Sequence, residues 1–124
     1  MIAETLYSIL SGASGITSIT TGIYPSVIPQ SQSAPAIVYQ CDGTEFIHTF
    51  EDGRNGLVRS SYQIDCYAAS VATAESLAAA VVSALGNYET HPIKRVLLDN
   101  RLNLFESETE LHRVLLQFLV WHVE

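Results

Sequence analysis

The sequence predicts an α+β domain, an antiparallel sheet of about four strands with two helices packed on one face. Three observations predict it. Residues 58–66 alternate apolar and polar with a period of two, and two further apolar segments of strand length flank an acidic turn at 106–110. Apolar residues recur at helical spacing near the N-terminus and again between 71 and 85.

The elements follow in order. Ile2, Leu6, Ile9 and Leu10 fall on one face of a short helix, which Gly12 is placed to end in a left-handed cap. Ser14 is expected to cap a brief helical turn through Ile16 and Ile19, closed by Gly22. Ile23-Tyr24-Pro25 then leaves in extended form, because proline biases its predecessor away from helix. Residues 26–35, with Pro29 and Pro35, read as one surface loop. A strand begins at Ala36, breaks at Asp42-Gly43 and resumes from Thr44 to Phe50. The segment 51–56 contains Asp-Gly and Asn-Gly, the turn chemistry of a hairpin. Val58, Ser60, Tyr62, Ile64 and Cys66 form the buried side of the next strand. Ser70 caps the longest helix, Val71 to Leu85, whose core face is Ala74, Leu77, Ala78, Val81 and Leu85, with Gly86 at its end. Two strands close the chain, Ile93 to Phe105 and Leu111 to Val123; the last is apolar on both faces and therefore central or covered on both sides.

A chain of 124 residues is one domain, 1–124, large enough to bury a core without disulfides. Its 48% hydrophobic and 15% charged residues exclude disorder, which needs the opposite balance. The longest uninterrupted apolar run near the end, Phe118 to Trp121, is far shorter than a membrane span, and the N-terminus lacks the basic region of a signal peptide, so a cytoplasmic start is expected. Cys41 and Cys66 fit that compartment; if their two strands form a hairpin centred near Gly53 the thiols could sit opposite one another, a placement the sequence leaves open. Six basic residues against thirteen acidic ones, net −7, cannot supply the cationic track that generic nucleic-acid binding requires.

Catalytic and metal chemistry find few candidates. His112 and His122 share a strand face but stand ten residues apart, roughly 33 Å along a strand, too far to share a metal. His48 and His91 fall near element ends. Glu106, Glu108 and Glu110 alternate at a hairpin tip, which lacks the apolar pocket that would separate their pKa values. No Gly-x-Ser-x-Gly elbow, phosphate loop or Cys-x-x-Cys occurs, so no enzyme, metal or cofactor is expected. An open sheet instead leaves one face and two edges available, and edges invite pairing with another copy.

Three stretches carry a resemblance. Gly22-Ile23-Tyr24-Pro25, Ile28-Pro29-Gln30 and Ala34-Pro35-Ala36-Ile37-Val38-Tyr39-Gln40 come first; the strand from Val58 to Ala68 precedes the alanine-rich helix; Phe105 to Arg113 and Phe118 to His122 close the chain. In this order and spacing the chain resembles the phage tail completion (tail terminator) family over nearly its whole length. The resemblance implies a structural bacteriophage or prophage protein that caps the head-proximal end of the tail tube and helps join tail to head. It implies a ring, commonly of six, with no catalytic residue. Its expected partners are copies of itself, the tail tube protein and head–tail connector proteins, with no membrane and no sequence-specific nucleic-acid binding. The expected location is the virion tail, assembled in the bacterial cytoplasm.

A ring around a DNA conduit gives the charge a further meaning. Six copies at −7 each carry a formal charge of about −42, which repels a passing duplex. Glu45, Glu51 and Asp52 are the candidates for the bore, and Arg54 and Arg59 for contact with a neighbour or a tail-tube partner. The alternative reading is a small ligand-binding or regulatory α+β domain, which predicts an apolar pocket with converging polar groups.

Overall fold

The computed structural model describes residues 2–20, 22–26, 34–46, 57–86, 88–89, 92–107 and 110–123. Among them the chain runs α1 (Ile2–Gly12), α2 (Ser14–Thr17), β1 (Ile23–Pro25), β2 (Ala36–Phe46), β3 (Leu57–Ala68), α3 (Val71–Leu85), β4 (Ile93–Glu106) and β5 (Leu111–Val123). The strands form one sheet in the order β1-β2-β3-β5-β4. β2, β3, β5 and β4 pair antiparallel in turn, as expected, but β1 adds a fifth strand parallel to β2, with Ile23, Tyr24 and Pro25 opposite Ile37, Val38 and Tyr39. The sheet is therefore mixed and five-stranded rather than antiparallel and four-stranded, and the brief helical turn expected after Gly12 is a third helix, α2, beside the two longer ones. Three residues were too few to announce a strand by alternation. What creates it is tertiary: Ile37 N–H donates to Gly22 O at 2.7 Å and Ser26 N–H to Tyr39 O at 3.0 Å.

The helices cover one face. Leu6 and Leu10 of α1, Ile16 of α2 and the five expected positions of α3 join one core with Ile37, Ile64, Cys66, Leu116, Phe118 and Val120 of the sheet. Tyr7 of α1 lies against Tyr39 at 6.5 Å between ring centroids. The period-two reading of β3 holds on the core side, where Val58, Ser60, Tyr62, Ile64 and Cys66 are all buried. β5 lies between β3 and β4, the central position its two apolar faces implied.

Local chemistry differs from expectation at several points. Ala13, not Ser14, holds the N-cap of α2 and makes no side-chain cap bond; its carbonyl accepts from Ile16 N–H and Thr17 N–H instead. Gly12 closes α1 without entering the left-handed region. Gly86 ends α3 with φ −59°, and its necessity is steric: a Cβ there would stand 2.7 Å from Val82 O. The Asp42-Gly43 break is a register shift within one continuous strand, between Cys41 and Gly43. Residues 47–50, the remainder of the segment expected to reach Phe50, and the 51–56 turn lie outside the described residues.

Register decides the relation of Cys41 and Cys66, which the sequence leaves open, and it does not set them opposite one another. Cys41 faces Tyr62 and Cys66 faces Ile37, four positions away along β3. Both are free thiols, Cys41 exposed and Cys66 buried. Burial pushes the Cys66 thiol up to about 12, with the neighbouring Asp65 charge adding to the effect. At pH 8 its thiolate fraction is then about one in ten thousand. A colorimetric thiol titration of the native chain is expected to count one reactive cysteine, Cys41, and to count two in denaturant; two fast-reacting thiols in the native chain would contradict the burial.

The Ser70 cap of α3 is present, with Ser70 Oγ accepting from Thr73 N–H at 3.2 Å. Ser70→Ala is expected to cost about 1 kcal/mol, a fall in Tm of roughly 4 °C by differential scanning fluorimetry. The other end of that helix's first turn is tied to the sheet. Glu75 accepts from Arg101 and from Asn103 Nδ2 (2.7 Å for the latter), and these bonds hold its carboxyl below the usual range.

Candidate functional site

The sheet face away from the helices carries the polar chemistry. Because β-strand side chains alternate, Arg59, Ser61, Gln63, Asp65 and Tyr67 of β3 share this face with Arg113, Gln117 and Trp121 of β5. They bond laterally across strands. Gln117 Nε2 donates to Ser61 Oγ at 2.6 Å and to Asp42 Oδ2 at 2.8 Å. Gln63 Nε2 and Arg113 Nη2 both donate to Asp65 Oδ2, at 3.0 and 3.2 Å. The Arg113 guanidinium also lies over the Tyr67 ring at 5.7 Å and 3.9 Å from Glu106. Asp65, expected on the solvated side of its strand, is 4% exposed, and its Oδ1 and Arg113 Nε are buried without a hydrogen-bond partner among the described residues. Burial opposes the Arg113 charge, but the Asp65 bond and charge outweigh it and raise its pKa.

A second polar group is buried at the core's margin. Ser60 Oγ and His122 Nε2 are 2.8 Å apart, both nearly inaccessible, and Thr44 Oγ1 stands 3.3 Å from Ser60 Oγ. A serine and histidine in contact resemble half of a catalytic relay, yet here they are enclosed between β2, β3 and β5 with no access for a substrate. Tyr62 nearby is pushed up to about 12, by burial first and then by Cys41. His112, at the other end of β5, stacks against Phe105 at 4.9 Å. No set of three His, Cys, Asp or Glu side chains among the described residues is placed to hold a metal.

The edges carry the apolar chemistry. β4 is the outermost strand on one side, and Leu97, Leu98, Leu102, Leu104 and Phe105 along it are exposed. A long edge strand with apolar side chains is a template for pairing with another chain. At its upper end an open apolar depression of about 590 Å³ is lined by Leu57, Lys94, Arg95, Leu97, Trp121 and Val123. On the other side, among the described residues, β1 pairs β2 at Ile37–Tyr39 and no strand flanks β2 beyond it. Cys41, Asp42, Thr44 and Glu45, beyond that pairing, are exposed.

Of the candidate surface residues, the structure brings two together. Glu45 and Arg59 are cross-strand partners on the open face, joined by a 2.7 Å ion pair, and Arg59 also lies over the Trp121 ring at 6.0 Å. Glu51, Asp52 and Arg54 lie outside the described residues, as do His48, His91 and Glu108. Sequence reasoning missed Lys94 and Arg95 and the apolar edge beside them. The sole signal was that β4 lacks clean alternation, with Val96-Leu97-Leu98 in a row, which reads as easily as a buried strand.

No helix among the described residues is long and apolar enough to cross a membrane. In comparisons with known proteins, no curated protein sequence matches. Among solved structures, the chain is similar to a protein in the virion of a native gene transfer agent particle, with a TM-score of 0.80 and 17% identity over 96% of this chain and 92% of that one. The likeness is one of fold. Residues 4–123 match the family described as tail completion protein gp17, the group that the ordered motifs from Gly22 to His122 resemble. With that match spanning every element of the fold, this chain belongs to the tail completion protein gp17 family and is a structural, non-enzymatic protein of phage tails.

Proposed function

We propose that this protein caps the head-proximal end of a tail tube and helps join tail to head, acting as a ring of identical subunits, a hexamer in the simplest case. The family match over residues 4–123 carries the reading. Two features of the fold support it. The sheet ends in two unlike edges, which suits head-to-tail association, and five large apolar side chains stand exposed along one of them. The partners are further copies, the tail tube protein and head–tail connector proteins, with assembly in the bacterial cytoplasm before incorporation into the virion.

DNA passes through the ring without being read. The net charge of −7 favours a repulsive inner wall, for which Glu51 and Asp52 are the candidates, with Arg54 directed to a neighbour. Glu45 and Arg59 share one ion pair and so belong to one surface, which we place at the subunit contact.

Electron microscopy of particles made with and without the protein tests the proposal. Its loss is expected to give overlong tails or tails unjoined to heads. Normal infectious particles in its absence would reject it. The ligand-binding alternative predicts a rise in Tm with a specific metabolite, and the open depression beside Trp121 is where such a molecule would bind.

A further inference from the structure

We infer that the seam between copies is a strand-to-strand joint: the upper half of β4 in one subunit pairs with the stretch of β2 beyond Tyr39, Gln40–Glu45, in the next. The inference rests on the ring reading and specifies its interface.

Among the described residues, each edge has a stretch that no other strand covers, Gln40–Glu45 on β2 and the outer side of β4. β4 is the last strand on its side, and among the described residues no strand flanks β2 beyond Tyr39. Directions agree as well. β2 and β4 run antiparallel within one sheet, since β2 opposes β3, β3 opposes β5 and β5 opposes β4. Copies related by rotation about an axis along the strands keep those directions, so β4 of one copy meets β2 of the next in the antiparallel sense.

Level and charge agree too. Glu45, Arg59, Trp121 and Arg95 are successive register partners and form one row across β2, β3, β5 and β4. A row that begins on a carboxylate and ends on a guanidinium brings Arg95 of one copy level with Glu45 of the next. Lys94, beside Arg95, and Asp42, on the same strand as Glu45, reinforce the same polarity. Two of the chain's six basic residues, Lys94 and Arg95, stand side by side at the upper end of β4. Intrachain pairs already made by these groups, Arg95 with Glu89 at 3.4 Å and Glu45 with Arg59, are exposed and therefore weak enough to be shared or exchanged. Unlike edges joining head to tail generate a ring when the rotation closes. Because closed sheets are staggered, the pairing register shifts by a few residues from the flat-sheet row.

Disulfide trapping in the full-length chain tests the seam. In a Cys41→Ser background, Glu45→Cys is combined in turn with Lys94→Cys, Arg95→Cys and Leu97→Cys, with Leu102→Cys, lower on β4, as the control partner. Oxidation of the concentrated protein is expected to give, from at least one upper pair, a reducible ladder at multiples of the 13.6 kDa chain, and none from the Leu102 pair. Negative-stain microscopy of the unsubstituted protein is read in parallel. Rings without a ladder, or a ladder from the Leu102 pair, overturn the seam and leave the ring standing. A ladder that stops at the covalent dimer overturns head-to-tail pairing. Neither rings nor ladder removes both readings, whereas a ladder without rings keeps the joint and rejects closure.

Discussion

Phe118→Ala is expected to lower stability by about 3–5 kcal/mol, the range for deleting a fully buried aromatic side chain. Phe118 is completely inaccessible, the bulkiest of the fully buried side chains, and stands on β5 with Tyr62 of β3 and Leu98 of β4 as its lateral partners. Helix α3 covers the same core. The cavity therefore opens at the centre of the domain, where neighbours anchored in three strands have little freedom to collapse into it. A domain of this size has about 5–15 kcal/mol to lose. At roughly 4 °C per kcal/mol, Tm falls by about 12–20 °C, measured by calorimetry. Phe118→Leu retains most of the volume and should cost less than half as much. Equal Tm for Phe118→Ala and the unsubstituted chain would show that the core is not where this side chain places it.

Arg113→Ala is expected to cost about 2–4 kcal/mol, more than any substitution at the exposed pairs, because removing one partner of a buried ion pair leaves the other charge without compensation. That other charge is Asp65, which has almost no access to water. The Arg113 side chain is 21% exposed, which sets the figure below that for a fully enclosed pair. Among the described residues Oδ1 of Asp65 already lacks a partner, so Arg113→Ala leaves that carboxylate with the amide of Gln63. Asp65→Asn should be milder, since Arg113 keeps the Tyr67 ring and the more distant Glu106. The double substitution Asp65→Leu with Arg113→Met should recover most of the loss, because an apolar pair of similar size removes both desolvation costs. Chemical denaturation of the unsubstituted chain, Asp65→Leu, Arg113→Met and the double variant gives the coupling energy; strict additivity would mean that the pair does not interact.

The two largest effects lie in different places, and neither is at the sheet edges. Stability resides in the core between helices and sheet and in one ion pair on the open face. On β4, Ile93 and Val96 are buried in that core, whereas Leu97, Leu98, Leu102, Leu104 and Phe105 are exposed. Substitutions at these exposed positions are expected to change association while leaving Tm nearly unchanged, which separates the two roles experimentally.

The sequence by itself determined whatever depends on neighbours within a few residues. Periodicity placed α1, α3 and β3; apolar segments of strand length on either side of an acidic turn placed β4 and β5; Ser70 marked the start of α3 through its own hydroxyl; composition excluded disorder and a cationic nucleic-acid track; and the ordered motifs pointed to the family. Tertiary structure alone decided what depends on distant partners. β1 exists because Gly22 and Ser26 bond across to β2. Cys41 and Cys66 stand four positions out of register because pairing is set over the whole β2–β3 ladder and its bulge. Asp65 is buried because Arg113, 48 residues away, reaches it from the neighbouring strand. Leu97, Leu98, Leu102, Leu104 and Phe105 are exposed because β4 is the last strand in the sheet. An apolar residue reads the same whether its covering surface comes from its own chain or from another copy. That covering is a property of strand order, and strand order is decided by long-range pairing.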